Sequence, residues 1–187
     1  MKTVSVCWIK FKKKLVEIER FSRGRAFQTS FVIVDSKSIK NTDTAKEKGY
    51  DAGKKVSGIK LHLAVDILGL PQAMHITKAD VTDRNGAIEM FITTSDNLTK
   101  VQNMLVDSGY SGEKFADAVK KILGCSVEVV KKCDLHNFKV MPKRWIVERT
   151  FAWLEKNRRL WKNCERKLST SKQMTVLALL TLILRRF

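Results

Sequence analysis

Asp35 and Asp107 stand in equivalent settings. The first follows Phe31, Val32, Ile33 and Val34, the second follows Met104, Leu105 and Val106, and a serine comes after each. A carboxylate at the end of an apolar strand is costly to bury unless it is paired or bound to a cation. Ligand sites of open α/β sheets also form at strand ends. A third carboxylate, Glu148, lies in RWIVERTFAWLEKNRRL (144–160), one helical turn after Arg144 and ahead of Lys156, Arg158 and Arg159. Two aspartates from adjacent strands and a glutamate from a helix make an oxygen-rich cage suited to Mg²⁺ or Mn²⁺. Two such ions about 3.5–4 Å apart can activate a water or hydroxyl and stabilise the leaving oxygen of an in-line phosphoryl displacement.

Each of these residues also has a structural reading. Asp often opens a turn, and Arg144 with Glu148 makes an i,i+4 pair worth only about 0.2–0.5 kcal/mol. Asp66, in LAVDILG, has the same apolar prefix but falls inside a hairpin turn, where the turn reading holds. The helix alone does not decide the matter; the three carboxylates together favour metal.

The elements that must position them follow from pattern. FVIVDSKSI (31–39) reads as a buried strand, and IKLHLAVDILGLPQAMHITKADV (59–81) as a hairpin around Leu-Gly-Leu-Pro. NGAIEMFITTSDNL (85–98) reads as a helix, VQNMLVDSGYSG (101–112) as a strand leaving into a glycine turn, GEKFADAVKKIL (112–123) as an amphipathic helix, and CSVEVVKK (125–132) as a strand. Pro142 precedes one long helix over 144–160, on which Val147, Phe151, Leu154 and the stem of Arg158 share the inward stripe at about 100° per residue. Glu148 lies at that stripe's edge, with Arg144, Glu155 and Arg159 near its own direction and Lys156 to one side. A second, more apolar helix closes the chain from about Ser171. Leu15, Ile18 and Phe21 suit a short helix in the basic opening segment, SRGRAFQTS (22–30) reads as a linker, and 41–58 reads as a charged loop. Alternating strands and helices point to an α/β sheet.

Composition sets the partner class. Lys and Arg number 36 against 19 Asp and Glu, a net charge of +17 spread along 187 residues. A folded basic domain most often meets a polyanion, because neutralising phosphates releases condensed counterions; a ribosomal or merely cationic protein is the alternative. MTVLALLTLIL (174–184) is too short for a bilayer, which needs roughly 20 apolar residues, so no membrane is expected. Cys7, Cys125, Cys133 and Cys164 lack paired spacing, and Cys133 with His136 is one close pair where a structural zinc site needs two. They read as reduced thiols. GYDAGKK (49–55) lacks the spacing and the Ser/Thr of a phosphate loop; Lys54, Lys55 and Lys60 read as DNA-backbone contacts or, nearly as well, as part of a solvated loop. His62 and His75 read as lying on the sheet surface, and Trp145, Trp153 and Trp161 as packing rather than base stacking.

The blocks VDSKSIK (34–40), GYDAGKKVSGIKLHLAVDILGLPQAMHITKADVTDRNGA (49–87), LVDSGYSG (105–112) and MPKRWIVERTFAWLEKNRRL (141–160) resemble, in order, the DDE transposases of bacterial insertion sequences, specifically the insertion sequence five family. The resemblance implies an RNase H-like fold, a mixed five-stranded sheet flanked by helices, with the triad on Asp35, Asp107 and Glu148. The related Y-R-E-K signature has Arg with three residues between it and Glu, which Arg144 meets. It has Tyr where Met141 stands and Lys where Glu155 stands, with Lys156 one place later. Members carry a further helical DNA-binding segment in front of the first aspartate. Residues 1–30 therefore read as a remnant helical segment and linker, 31–187 as the catalytic domain, and the chain as a frameshift-joined or degraded piece.

By resemblance the activity is metal-dependent cleavage at insertion-sequence ends and strand transfer into target DNA. Asp35, Asp107 and Glu148 would hold two Mg²⁺ or Mn²⁺ ions, while Arg144, Lys156, Arg158, Arg159, Lys54, Lys55 and Lys60 would meet DNA. The implied partners are double-stranded DNA, as terminal inverted repeats and target, and a second copy in a homodimeric synaptic complex within the bacterial nucleoid. The alternative is an inactive or partial transposase that only binds DNA or dimerises; a host nuclease of the same fold is a third reading.

Overall fold

The computed structural model describes residues 2–130 and 143–187, with side chains from residue 10 onward. Cys7 as a side chain, and Cys133, His136, Met141 and Pro142, lie outside the described residues.

Among the described residues, six strands form one mixed sheet: β1 (Phe31–Lys40), β2 (Gly49–Asp51), β3 (Val56–Val65), β4 (Pro71–Lys78), β5 (Asn103–Asp107) and β6 (Ser126–Val130). The order is β2-β3-β1-β5-β6, with β4 also paired to β3. β1, β3 and β4 run antiparallel as the expected hairpin and its neighbour, whereas β5 and β6 add in parallel. The sequence predicts five strands; the sixth, β2, is three residues long and lies inside the stretch read as a loop, where Gly49–Asp51 pairs with Val56–Gly58.

Side chains alternate between the two faces of a strand, and β1 divides accordingly. Val32 and Val34 face a core shared with α2 (Asp83–Thr94) and α3 (Glu113–Leu123), where Met90, Phe91, Phe115 and Val119 are buried. Ile33 faces the opposite core, with Val147, Phe151 and Leu154 of α4 (Arg144–Glu155) and Leu179 of the last helix. Asp35 and Asp107, two residues beyond Ile33 and Leu105, are thereby directed to the α4 side. α2 sits close over β3 because Gly86 has no side chain: a Cβ there would lie 2.1 Å from His62 Nε2. His62 is thus fully buried, not on the sheet surface, and its Nε2 is 3.0 Å from Thr77 Oγ1.

The predicted long helix ends early. Both the backbone N–H and the side-chain amide of Asn157 donate to Leu154 O, at 3.0 and 3.1 Å, which closes α4. Arg158–Trp161 is a separate single turn, α5, and Arg158 does not continue the inward stripe: it is exposed. The last helix, α6 (Leu168–Leu184), buries Val176, Leu179 and Ile183.

The opening segment is one helix, α1 (Lys2–Ser22), and it does not turn the expected face inward. Val16 is buried together with the polar Lys12, Glu19 and Arg20, while Ile18 and Phe21 are exposed. Lys12 Nζ donates to Pro71 O and Gln72 O at 3.2 and 3.4 Å. Arg20 pairs with Asp66 in the β3–β4 turn, where Asp66 Oδ1 also accepts from the Leu68 and Leu70 amides at 2.9 Å. Asp66 is therefore a turn carboxylate, and Gly69 of that turn takes φ +77°.

Candidate active site

Asp35 is not at a strand end: β1 continues to Lys40. It stands just beyond the parallel pairing of β1 with β5, which stops at Ile33 opposite Leu105. Asp107 is the last residue of β5. In both, one carboxylate oxygen is tied down locally. Asp35 Oδ1 accepts from the Ser36 amide at 2.7 Å, and Asp107 Oδ1 accepts from the Gly109 amide at 2.9 Å. The other oxygen, Oδ2 in each case, approaches the same atom, Arg144 Nη2, at 3.8 and 3.3 Å. Arg144 Nε lies 3.3 Å from Glu148 Oε1, at ion-pair distance but without hydrogen-bond alignment. One guanidinium thus reaches carboxylates from β1, β5 and α4 together. Glu148 is the outermost, with 55% of its side chain exposed.

Burial pushes the Asp35 carboxyl up to about 6, with Asp107 adding to the rise and the Ser36 amide, Arg144 and Lys54 opposing it. Among the described residues, no three His, Cys, Asp or Glu side chains come close enough to hold one ion as they stand. The donor chemistry nevertheless fits a hard divalent cation: every group is a carboxylate, and one positive group already contacts all three.

The predicted DNA contacts divide. Lys54 and Lys55 are exposed on the β2–β3 turn, where Lys54 Nζ reaches Ser36 O at 3.5 Å. Lys156 and Arg158 are also exposed. Arg159 leaves Glu148's direction because α4 ends before it, and its guanidinium pairs with Glu165 at 2.6 Å. Lys60 is a correction. It is buried, and its ammonium is taken up by Asp83 at 2.9 Å, Asp51 at 3.3 Å and Val81 O at 2.8 Å, so it presents no charge to a duplex. Burial alone would raise Asp51, but Ser38, the Lys54 amide and Lys60 outweigh it and hold the carboxyl at about 2. The Arg149 guanidinium lies 4.6 Å from the ring centres of both Trp145 and Trp153, but the packing reading does not hold for all three tryptophans: Trp153 is half-buried, whereas Trp145 and Trp161 are exposed.

Glu155, where the resembled signature has lysine, is paired with Lys37 at 2.5 Å. Sequence reasoning passed over Lys37, although its place two residues after Asp35 puts it on the same strand face. It likewise missed the buried layer behind Asp35. There Tyr110 packs on Phe115 with ring centres 5.4 Å apart, and burial, with Asp35 and Asp83 nearby, pushes its hydroxyl well above the usual range.

A family model described as "Transposase DDE domain" matches residues 26–184. The protein named "Putative transposase for insertion sequence element IS402", from Burkholderia cepacia, is 29% identical over 117 residues, 59% of this chain and 55% of that one. The match therefore spans about half the length of that relative. Among solved structures, the simian T-cell lymphotropic virus intasome in complex with PP2A regulatory subunit B56 gamma aligns with a TM-score of 0.53 at 17% identity, covering 82% of this chain and 48% of that one. The catalytic core domain of BIV integrase aligns with a TM-score of 0.51 at 9% identity, covering 80% and 82%. At such identities the likeness is one of fold: an RNase H-like mixed sheet between helices.

Proposed function

Since the chain belongs to the transposase DDE domain family, we propose that Asp35, Asp107 and Glu148 are its catalytic carboxylates, and that it cleaves and joins DNA strands with divalent metal. The observation that carries this reading is the approach of both aspartate Oδ2 atoms to one cationic nitrogen beside Glu148. The three carboxylates would hold Mg²⁺ or Mn²⁺, as two ions. When bound, such ions supply an activated water or hydroxyl and stabilise the leaving oxygen of an in-line displacement.

The chain's own residues do the rest. The Ser36 and Gly109 amides fix Oδ1 of Asp35 and Asp107, leaving each Oδ2 turned toward the reaction centre. Asp35 is ionised above about pH 6, so neutral solution suits its role as a ligand. Glu148, with 55% of its side chain exposed, would supply the third carboxylate to the metal. Arg144 exchanges its carboxylate contacts for the non-bridging oxygens of a phosphate, where a planar guanidinium can donate in bidentate fashion. Lys54, Lys55, Lys156 and Arg158 meet the backbone of the duplex. The DNA is that of insertion-sequence terminal inverted repeats and of a target, engaged by two copies of the chain.

The test is Mn²⁺-dependent nicking of supercoiled plasmid by the chain and by Asp107→Ala. The expected result is cleavage that the substitution abolishes. Undiminished cleavage by Asp107→Ala would overturn the assignment, and duplex binding without any cleavage by the unsubstituted chain would favour a role limited to DNA binding or dimerisation.

A further inference from the structure

β1 continues five residues past Asp35, and alternation brings Lys37 to the same face, under α4. Same-face neighbours on a strand are about 6.4–6.8 Å apart, so Lys37 flanks the carboxylate site along the seam between β1 and α4. Its ammonium meets Glu155 at the C-terminal end of that helix, and the two side chains remain 34% and 44% exposed. An open cleft lined by Lys37, Lys40, Phe151, Glu155 and Trp161 lies beside the pair.

A pair this accessible contributes about 0–1 kcal/mol to stability. Holding the fold is therefore a poor account of a lysine in this place. Lys60 shows the contrast, since it is buried and saturated by two carboxylates and a carbonyl. Among the described residues Lys37 has a single anionic partner, which a phosphate can replace.

We propose that Lys37 grips a DNA phosphate adjoining the one held at Asp35, Asp107 and Glu148, and that Glu155 is its latch. In the free protein the carboxylate holds the ammonium at the seam. On the duplex the phosphate takes the ammonium, and Glu155 is left facing like charge. Glu155 therefore weakens DNA binding while it keeps Lys37 placed. This rests on the DNA-acting reading above.

The experiment measures binding of a short fluorescein-labelled duplex across a salt series, without divalent metal, for the chain, Lys37→Gln, Glu155→Gln and the reversed pair K37E/E155K. Melting curves accompany each variant. Each phosphate contact contributes about 0.9 to the slope of log K against log salt. Lys37→Gln should flatten the slope by about that amount, Glu155→Gln should tighten binding several-fold, and the reversed pair should keep the slope. An unchanged slope in Lys37→Gln overturns the inference, as does weakening by Glu155→Gln equal to that by Lys37→Gln, which is what a merely structural pair would give. If Lys37→Gln fails to fold, Glu155→Gln decides, and no tightening overturns. No duplex binding by the unsubstituted chain would remove the DNA-acting reading and this one together; normal binding with the slope unmoved removes this one alone.

Discussion

Asp35 is the residue on which the site's electrostatics turn. Burial lifts its carboxyl from 3.8 to about 6 despite the opposing Ser36 amide and Arg144. Between those values the folded chain binds more protons than the unfolded one, so stability falls as pH rises from about 4 to about 6 and stays lowered above that. Asp35→Asn removes that cost. Thermal melts without metal should show the variant more stable at about pH 8, by on the order of 3 kcal/mol, and indistinguishable from the unsubstituted chain below about pH 4. A variant less stable at the higher pH would mean that the Arg144 contact outweighs burial. In metal the order should reverse, because the carboxylate is then the liganded group.

At the scale of elements, two close fits hold the scaffold that presents the carboxylates. Gly86 lets α2 approach the His62 ring, and a Cβ there would sit 2.1 Å from it. Gly86→Ala should lower the melting temperature by an amount equivalent to about 1–3 kcal/mol, with recovery in part when His62→Ala is added. Arg20 and Asp66 tie α1 to the β3–β4 turn as a buried pair. Removing one partner leaves an uncompensated buried charge, at a cost of about 3–5 kcal/mol, so Arg20→Met should destabilise more than any exposed lysine substitution on α1. An effect of Arg20→Met no larger than that of Lys14→Met would show that α1 docks without the pair. These two contacts also mark where the sequence was and was not legible. Strands whose faces alternate, and helices with an apolar stripe such as Val147, Phe151 and Leu154, could be read from periodicity. α1 could not, because its inward face includes Lys12 and Arg20, which reach the Pro71 and Gln72 carbonyls and the Asp66 carboxylate far along the chain, and Glu19, which pairs with Arg23 one turn on. The end of α4 was hidden because Asn157 closes it through its own amide, with neither glycine nor proline to mark the place. That Asp35, Asp107 and Glu148 gather around Arg144 was foreshadowed by the apolar prefixes of the two aspartates and by block order. Lys60's burial was not, since it depends on Asp51 and Asp83 arriving from two other elements.

Across the whole molecule the charge is +17, and the carboxylate site is a small acidic spot within it. Binding of duplex should therefore weaken steeply with salt and should not depend on the triad. Removing a triad carboxylate subtracts negative charge facing the phosphates, so Asp107→Ala should bind duplex at least as tightly as the unsubstituted chain while losing cleavage. A mobility-shift titration in parallel with the plasmid assay separates the two, and loss of both would point to unfolding instead. The central claim is that three carboxylates brought from β1, β5 and α4 share divalent metal. The direct measurement is calorimetric titration of Mn²⁺ into the purified chain and into Asp107→Ala and Glu148→Ala, each confirmed folded. Binding by the unsubstituted chain that both substitutions abolish is the predicted result; binding of equal strength in all three proteins would contradict it.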